Sequence, residues 1–260
     1  TGIVTSKFAD IIKPDESFLV NKINRARIYS PDNEFLDLKL GLNYVLDRAK
    51  LDQKLAKGAE KADAKFHTSY RFIDYKNGKV IVQHKDKTKK IKSEMLIGAD
   101  GPLSPVAKSA GLFEGRKFFT GIQARAILKN DNAVEFYLMP GGFGWIVPES
   151  RSIVRIGTLS RTNPHDRFHE FLKRKLGESY KSQTLEYQGG LIPEYSPNIR
   201  TSVANVFLVG DAATMVKATT GGGIVQGLSG AEALAESIIN NRDYEAEWRG
   251  KIGRELRLAL

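Results

Sequence analysis

The feature that most constrains the fold is an almost wholly apolar run, Asn205-Val206-Phe207-Leu208-Val209, that stops at Gly210-Asp211-Ala212-Ala213. A run without polar alternation is what a strand carries when both faces of its sheet are covered, as in parallel sheets flanked by helices. Ten residues after Asp211, Gly221-Gly222-Gly223 opens a segment from about Ile224 to Asn240 whose early turns are rich in Gly, Ala and Ser. This predicts a helix packed closely on the sheet. A carboxylate at the C-terminal end of a buried parallel strand lies where α/β sheets bind ligands, and it can accept hydrogen bonds from a polyol. The glycines let a ligand approach the backbone, and the helix N-terminus presents amide donors and partial positive charge. The plainer reading is a strand, turn and helix in which Asp211 only caps the turn.

A second strand end has the same character. Met95-Leu96-Ile97 is a short apolar strand running into Gly98-Ala99-Asp100-Gly101, which presents the Asp100 carboxylate at a sheet edge; a plain turn is the alternative. Around these motifs, Arg25 to Ser30 and Phe35 to Leu38 flank the turn Pro31-Asp32-Asn33 and predict a hairpin. Helical spacing of Leu51, Leu55, Ala59 and Ala62 predicts a helix from Asp47, its N-cap, to about Lys61. Phe72 to Glu94 reads as a three-stranded meander with Asn77-Gly78 in a tight turn. Runs at 118–128, 134–138, 145–148 and 153–159 predict a second, antiparallel sheet. Asn163-Pro164 opens a helix that Gly177 closes, and a loop then leads to Asn205. No repeat or inter-domain linker is evident.

With 260 residues and 41% hydrophobic composition, the chain is long enough for one large domain or two closely packed ones. The formal charge of +10 favours anionic partners. Much of the excess is local, in Lys85, Lys87, Lys89, Lys90 and Lys92, a solvated hairpin, so no nucleic acid is expected. There are no cysteines, which excludes disulfides, thiol nucleophiles and cysteine-bearing zinc sites within this stretch and matches a reducing, cytoplasmic setting. No run of apolar residues is long enough to span a membrane, which leaves peripheral membrane contact open. His165 and His169 are spaced for a helical metal pair but have no third ligand nearby, so exposed histidines and no metal are expected.

Taken together, Val209-Gly210-Asp211-Ala212-Ala213 and Gly221-Gly222-Gly223-Ile224 resemble the second FAD motif of flavoprotein hydroxylases and geranylgeranyl reductases. That resemblance implies that Asp211 binds the ribityl chain and that the glycine-opened helix faces the flavin ring. Ile97-Gly98-Ala99-Asp100-Gly101-Pro102-Leu103-Ser104 resembles the same family's Asp-Gly motif, implying that Asp100 approaches the ribityl and pyrophosphate region and assists NAD(P)H. Tyr44-Val45-Leu46-Asp47-Arg48 resembles the segment whose arginine contacts the cofactor near its phosphates, with a surface charge as the alternative for Arg48. Met139 to Pro148 resembles the aromatic signature of geranylgeranyl reductases, implying that Phe143 and Trp145 line a lipid site, with a core tryptophan as the alternative.

The fold implied is α/β (α+β), a FAD-binding Rossmann-like domain over 1–110 and 200–260 with an inserted β-sheet substrate domain over 111–199. No Gly-x-Gly-x-x-Gly turn occurs, so the domain is expected to be incomplete here, without its first βαβ phosphate-binding unit. Thr1-Gly2-Ile3-Val4 resembles a segment that follows that unit, and Leu260 interrupts a helical stretch. The activity implied is reduction of isoprenoid double bonds, with FAD as cofactor and NADPH or another reductant as donor. A flavin monooxygenase or halogenase shares both motifs, and a non-catalytic lipid- or nucleotide-binding protein is the rival of another class.

Overall fold

A computed structural model describes residues 1–260. In chain order the strands are β1 (Ile3–Thr5), β2 (Leu19–Tyr29), β3 (Phe35–Leu46), β4 (Tyr70–Lys76), β5 (Lys79–His84), β6 (Lys87–Lys92), β7 (Leu96–Gly98), β8 (Phe118–Ile127), β9 (Val134–Met139), β10 (Gly142–Pro148), β11 (Ile153–Ser160), β12 (Thr184–Pro193), β13 (Ser202–Val203) and β14 (Val206–Leu208). The helices are α1 (Phe8–Ile11), α2 (Arg48–Lys61), α3 (Pro105–Ser109), α4 (Pro164–Leu176), α5 (Tyr180–Gln183), α6 (Ile224–Asn240), α7 (Tyr244–Trp248) and α8 (Arg254–Leu258). The chain forms two compact units, residues 1–57 with 118–191 and residues 58–117 with 192–260. Packing therefore groups 1–57 differently from the motif-based division, which placed 1–110 with 200–260. The reason is backbone pairing: β2 runs parallel to β9, so the N-terminal hairpin joins the middle sheet.

In the first unit eight strands form one sheet in the order β1-β3-β2-β9-β10-β11-β8-β12. Its core lies on one face, where α4 sets Phe168, Phe171, Leu172 and Leu176 against Ala124, Ile146, Val154 and Ile156. The β2–β3 hairpin turns where expected, with Asn33 in the left-handed region at φ 65°. Asp47 caps α2 by accepting from the Lys50 amide at 3.1 Å. Asn163 stands at the N-cap position of α4, but at φ 48° its side chain makes no capping bond, which corrects the expected role. β12 occupies a stretch read as loop. Its residues are mostly exposed and Gly189-Gly190 interrupts the alternation, because an edge strand is held by its hydrogen bonds to β8 rather than by burial.

The second unit holds two three-stranded sheets, β4-β5-β6 and β13-β14-β7. Asn77 and Gly78 both have positive φ, as the tight turn between β4 and β5 requires, and every residue of the lysine-rich β6 is exposed. In the other sheet Val206 and Leu208 point into a core with Met215, Leu234, Tyr244 and Trp248. Coverage of both faces is only partial: Phe207 is half-buried and its partner Ile97 is 47% exposed. The strand is apolar without alternation yet buried chiefly on one side.

A buried polar network ties α7 to this core. The Thr201 hydroxyl donates to Glu245 Oε1 at 2.9 Å and accepts from Trp248 Nε1 at 2.8 Å, and Thr201 and Trp248 are both fully buried. Thr201→Val keeps the shape but leaves a buried indole N–H without an acceptor. The expected loss is about 1–3 kcal/mol of unfolding free energy. Denaturant titration checks this, and an unchanged midpoint would mean that the network contributes nothing net.

Candidate functional site

The second unit brings the two acidic motifs to one sheet edge. β14 pairs parallel with β7, Val206 opposite Leu96 and Leu208 opposite Gly98, and the Val209 amide donates to the Gly98 carbonyl at 3.0 Å. The two strands therefore end side by side and pointing the same way. One continues into Ala99-Asp100-Gly101 and the other into Gly210-Asp211, so residues far apart in sequence meet where a parallel sheet offers its ligand-binding edge.

Gly210 begins a 3-10 turn, Gly210–Ala213, with φ 65°. No heavy atom lies within 4 Å of where its Cβ would stand, so a side chain there would be strained and would project into open space. The turn closes through the Thr214 amide to the Asp211 carbonyl and the Met215 amide to the Gly210 carbonyl, each 3.0 Å. The small residues of α6 make close packing possible: a Cβ on Gly230 would sit 2.4 Å from Met215 Sδ. Gly223 is the N-cap of α6 and brings no side chain to cap it. A Cβ on Gly223 would lie 3.2 Å from Asp211 Oδ1, so the carboxylate sits at the entrance of this helix.

Backbone open at Gly210, a carboxylate beside it and a long helix whose cap position has no side chain fit a cofactor bearing both hydroxyl groups and an electron-rich ring. The carboxylate suits hydroxyl donors, and the helix end suits negative charge.

Asp100 has a more structural part than the sequence alone suggests. Its Oδ1 accepts from Ser104 Oγ at 2.6 Å and its Oδ2 from the Val106 amide at 2.9 Å. Ser104 Oγ accepts in turn from the Ala107 amide at 2.9 Å, and Ser104 is fully buried. The residue thus shapes the entry to α3, although each carboxylate oxygen retains capacity for a second donor. The sequence carried a signal for Ser104 that went unused: serine before proline is a helix start, with serine as cap and proline at the first position. Arg116 was also missed. Its Nε and Nη1 are buried and make no hydrogen bond, Nη2 donates to the Leu112 carbonyl at 3.2 Å, and the guanidinium lies 4.7 Å from the Phe113 ring centroid. Burial lowers its pKa, and the charge of Asp100 acts the other way. A lone arginine in a loop gives no sequence sign of such burial.

The remaining candidates lie in the first unit. Arg48 opens α2 with its side chain half exposed and Nη2 3.6 Å from Asp52 Oδ1, one turn on. Phe143 and Trp145 stand on the face of β10 opposite α4, with ring centroids 5.9 Å apart. Phe143 is half-buried, while Trp145 is 6% exposed and lies across Gly157, where a Cβ would come within 2.4 Å of its ring. The Trp145 indole N–H is buried and makes no hydrogen bond. His165 and His169 are both exposed on α4, and no three His, Asp or Glu side chains are grouped to hold a metal.

Residues 21–247 match the FAD binding domain family. A digeranylgeranylglycerophospholipid reductase from Thermoplasma volcanium is 30% identical over 92% of this chain and 68% of its own length. The crystal structure of a geranylgeranyl bacteriochlorophyll reductase-like protein from Thermoplasma acidophilum matches with a TM-score of 0.79 at 26% identity, over 98% of this chain and 72% of that one. The flavin-dependent halogenase CmlS shares the fold alone, with a TM-score of 0.65 at 15% identity over 93% of this chain and 49% of that one. This chain belongs to the FAD binding domain family and, within it, to the geranylgeranyl reductases.

Proposed function

We propose that this protein reduces carbon–carbon double bonds in the isoprenoid chains of lipids, with FAD held at the sheet edge where β7 and β14 end. The observation that carries the reading is the convergence of the Asp211 carboxylate on the entrance of α6 beside open backbone at Gly210. In this reading Asp211 accepts from ribityl hydroxyls, and Gly210, Gly221, Gly222, Gly223 and Ile224 let the ring lie against the start of α6. Asp100 and Gly101 flank the same cofactor from the neighbouring strand, with Asp100 also serving NADPH or another reductant. Arg48 contributes a guanidinium suited to phosphate oxygens. Phe143 and Trp145 offer aromatic surface to the lipid.

When bound, FAD would supply hydride chemistry: each double bond gains a hydride, whose two electrons come ultimately from the donor, and a proton that comes from solvent. The residues of this chain bind, orient and exclude water. The alkene is apolar and offers nothing to a hydrogen-bond donor, so apolar side chains must place it. A lipid substrate also brings the protein to a membrane surface, and no helix is long and apolar enough to cross one.

Asp211→Ala tests the assignment. A hydrogen bond to a charged group contributes about 1.5–3 kcal/mol, so FAD affinity is expected to fall roughly ten- to a hundredfold. Flavin fluorescence titration reads the affinity, and thermal unfolding of the apo-variant reads the fold. Unchanged affinity would remove Asp211 from the cofactor site, and an apo-protein that does not fold would make it a turn cap. Asp100→Ala is expected to lose less FAD affinity but to destabilise α3, as Ser104→Ala does, since both remove the same cap.

A further inference from the structure

Between Tyr70 and Lys92, seven lysines and an arginine stand against two aspartates, which accounts for +6 of the chain's net charge of +10. This stretch is the β4-β5-β6 sheet of the second unit, and its two faces differ. On one face Tyr75, Val80 and Ile91 form a row, and Phe72, Val82 and Lys89 the next. That face is seated at its β4 side, where Phe72 and Tyr75 pack against the core of the unit and Val82 is buried. On the other face Lys76, Lys79 and Lys92 form a row, followed by Asp74, Ile81 and Lys90, then Arg71, Gln83 and Thr88. Cross-strand partners share a face, so five cations and one carboxylate stand on the side turned away from the core.

All five cations are exposed, and the carboxylate does little to offset them. Asp74 is engaged by Lys76 Nζ at 2.6 Å and accepts from Ser109 Oγ at 2.6 Å, while Arg71, Lys79, Lys90 and Lys92 make no ion pair. Strand spacing puts the five charges within roughly 15 Å of one another, close enough to act on one patch of an opposing surface. Lysine along an edge strand guards against pairing with another chain. That role calls for charge on β6, whereas this charge also occupies β4 and the central strand β5 and gathers on one face.

We propose that this basic face of β4-β5-β6 docks the protein on an anionic lipid bilayer. A sheet face spreads its cations in two dimensions, which suits a planar array of headgroups, and each lysine or arginine near such a surface adds to the attraction. Single-stranded nucleic acid is the poorer match, because it is held by aromatic stacking as well as charge. The aromatic residues of these strands, Tyr70, Phe72 and Tyr75, all belong to the other face. The proposal deepens the reading of function above, in which the substrate is a lipid, and names the surface that meets the membrane.

The test is cosedimentation of the full-length protein with phosphatidylcholine vesicles, with and without phosphatidylglycerol. Wild type is expected to bind only the anionic vesicles and to release as salt is raised. Each lysine near an anionic surface is worth about a fivefold gain in binding, so Lys79→Gln/Lys92→Gln is expected to lose roughly thirtyfold. Lys13→Gln/Lys181→Gln removes the same charge from exposed positions of the first unit and is expected to change little. Thermal unfolding checks that each variant folds, and Lys90→Gln alone, with about a fivefold loss, serves if the double variant does not. Equal loss in both double variants would reduce the effect to net charge and overturn the proposal. So would equal binding to neutral vesicles, or binding to a single-stranded oligonucleotide but to no vesicle. Vesicle binding is read without turnover, so the two readings fail separately. Docking as expected with no reduction of an isoprenoid lipid carried in the vesicles removes the functional reading. Reduction of detergent-dispersed lipid by a protein that binds no vesicle removes the docking face alone.

Discussion

The candidate cofactor site depends on the parallel pairing of two three-residue strands, β7 and β14. Parallel register makes both strands finish at one edge, so the carboxylates of Asp100 and Asp211 arise from adjacent strand ends without any long-range pairing of their own. Close packing then fixes two helices: a side chain on Gly98 would strike Leu208 and Val106 of α3, and one on Gly230 of α6 would strike Met215. The absence of a side chain at Gly230 thus lets α6 pack directly on Met215 and Val209, just before and after the Asp211 turn. Enlarging such a position forces neighbours out of their rotamers at a cost of about 1–3 kcal/mol.

The two aspartates, similar in sequence context, differ in what they do. Asp100 holds Ser104 and the first turn of α3, so its carboxylate is partly committed before any ligand arrives. Asp211 sits at the entrance of a seventeen-residue helix whose cap position is glycine. The longer helix offers the fuller dipole to a ligand, and its glycine cap lets Val216 and the Asp211 carboxylate come close to its first turn. That asymmetry is why Asp211 stands at the centre of the functional account.

Much of this was legible in the sequence. The Asn77-Gly78 turn, the helix from Ile224 to Asn240 and the strand ending at Gly210 follow from turn chemistry, periodicity and apolar runs, and all three form as expected. β12 was not legible, because an edge strand interrupted by Gly189-Gly190 has no periodic signal. The partnership of Asp100 with Ser104 is local and could have been read from Ser104-Pro105. The burial of Arg116 could not, since it depends on how the 110–117 loop folds over Phe113 and Leu112. The grouping of 1–57 with the middle sheet was hidden for the same reason: parallel pairing of β2 with β9 joins segments a hundred residues apart, and no local pattern encodes it.

Open backbone at Gly210 and a carboxylate at the start of α6 form the candidate cofactor edge on which the proposed reduction rests. The direct measurement is an anaerobic single turnover. The FAD-loaded protein is photoreduced, a geranylgeranyl lipid is added without oxygen, and flavin absorbance is followed beside product mass. The account predicts that oxidised-flavin absorbance returns only when the lipid is present, with product heavier by two hydrogens for each double bond reduced. Flavin that stays reduced until air is admitted, with the lipid unchanged, would contradict it and point to oxygen-dependent chemistry instead.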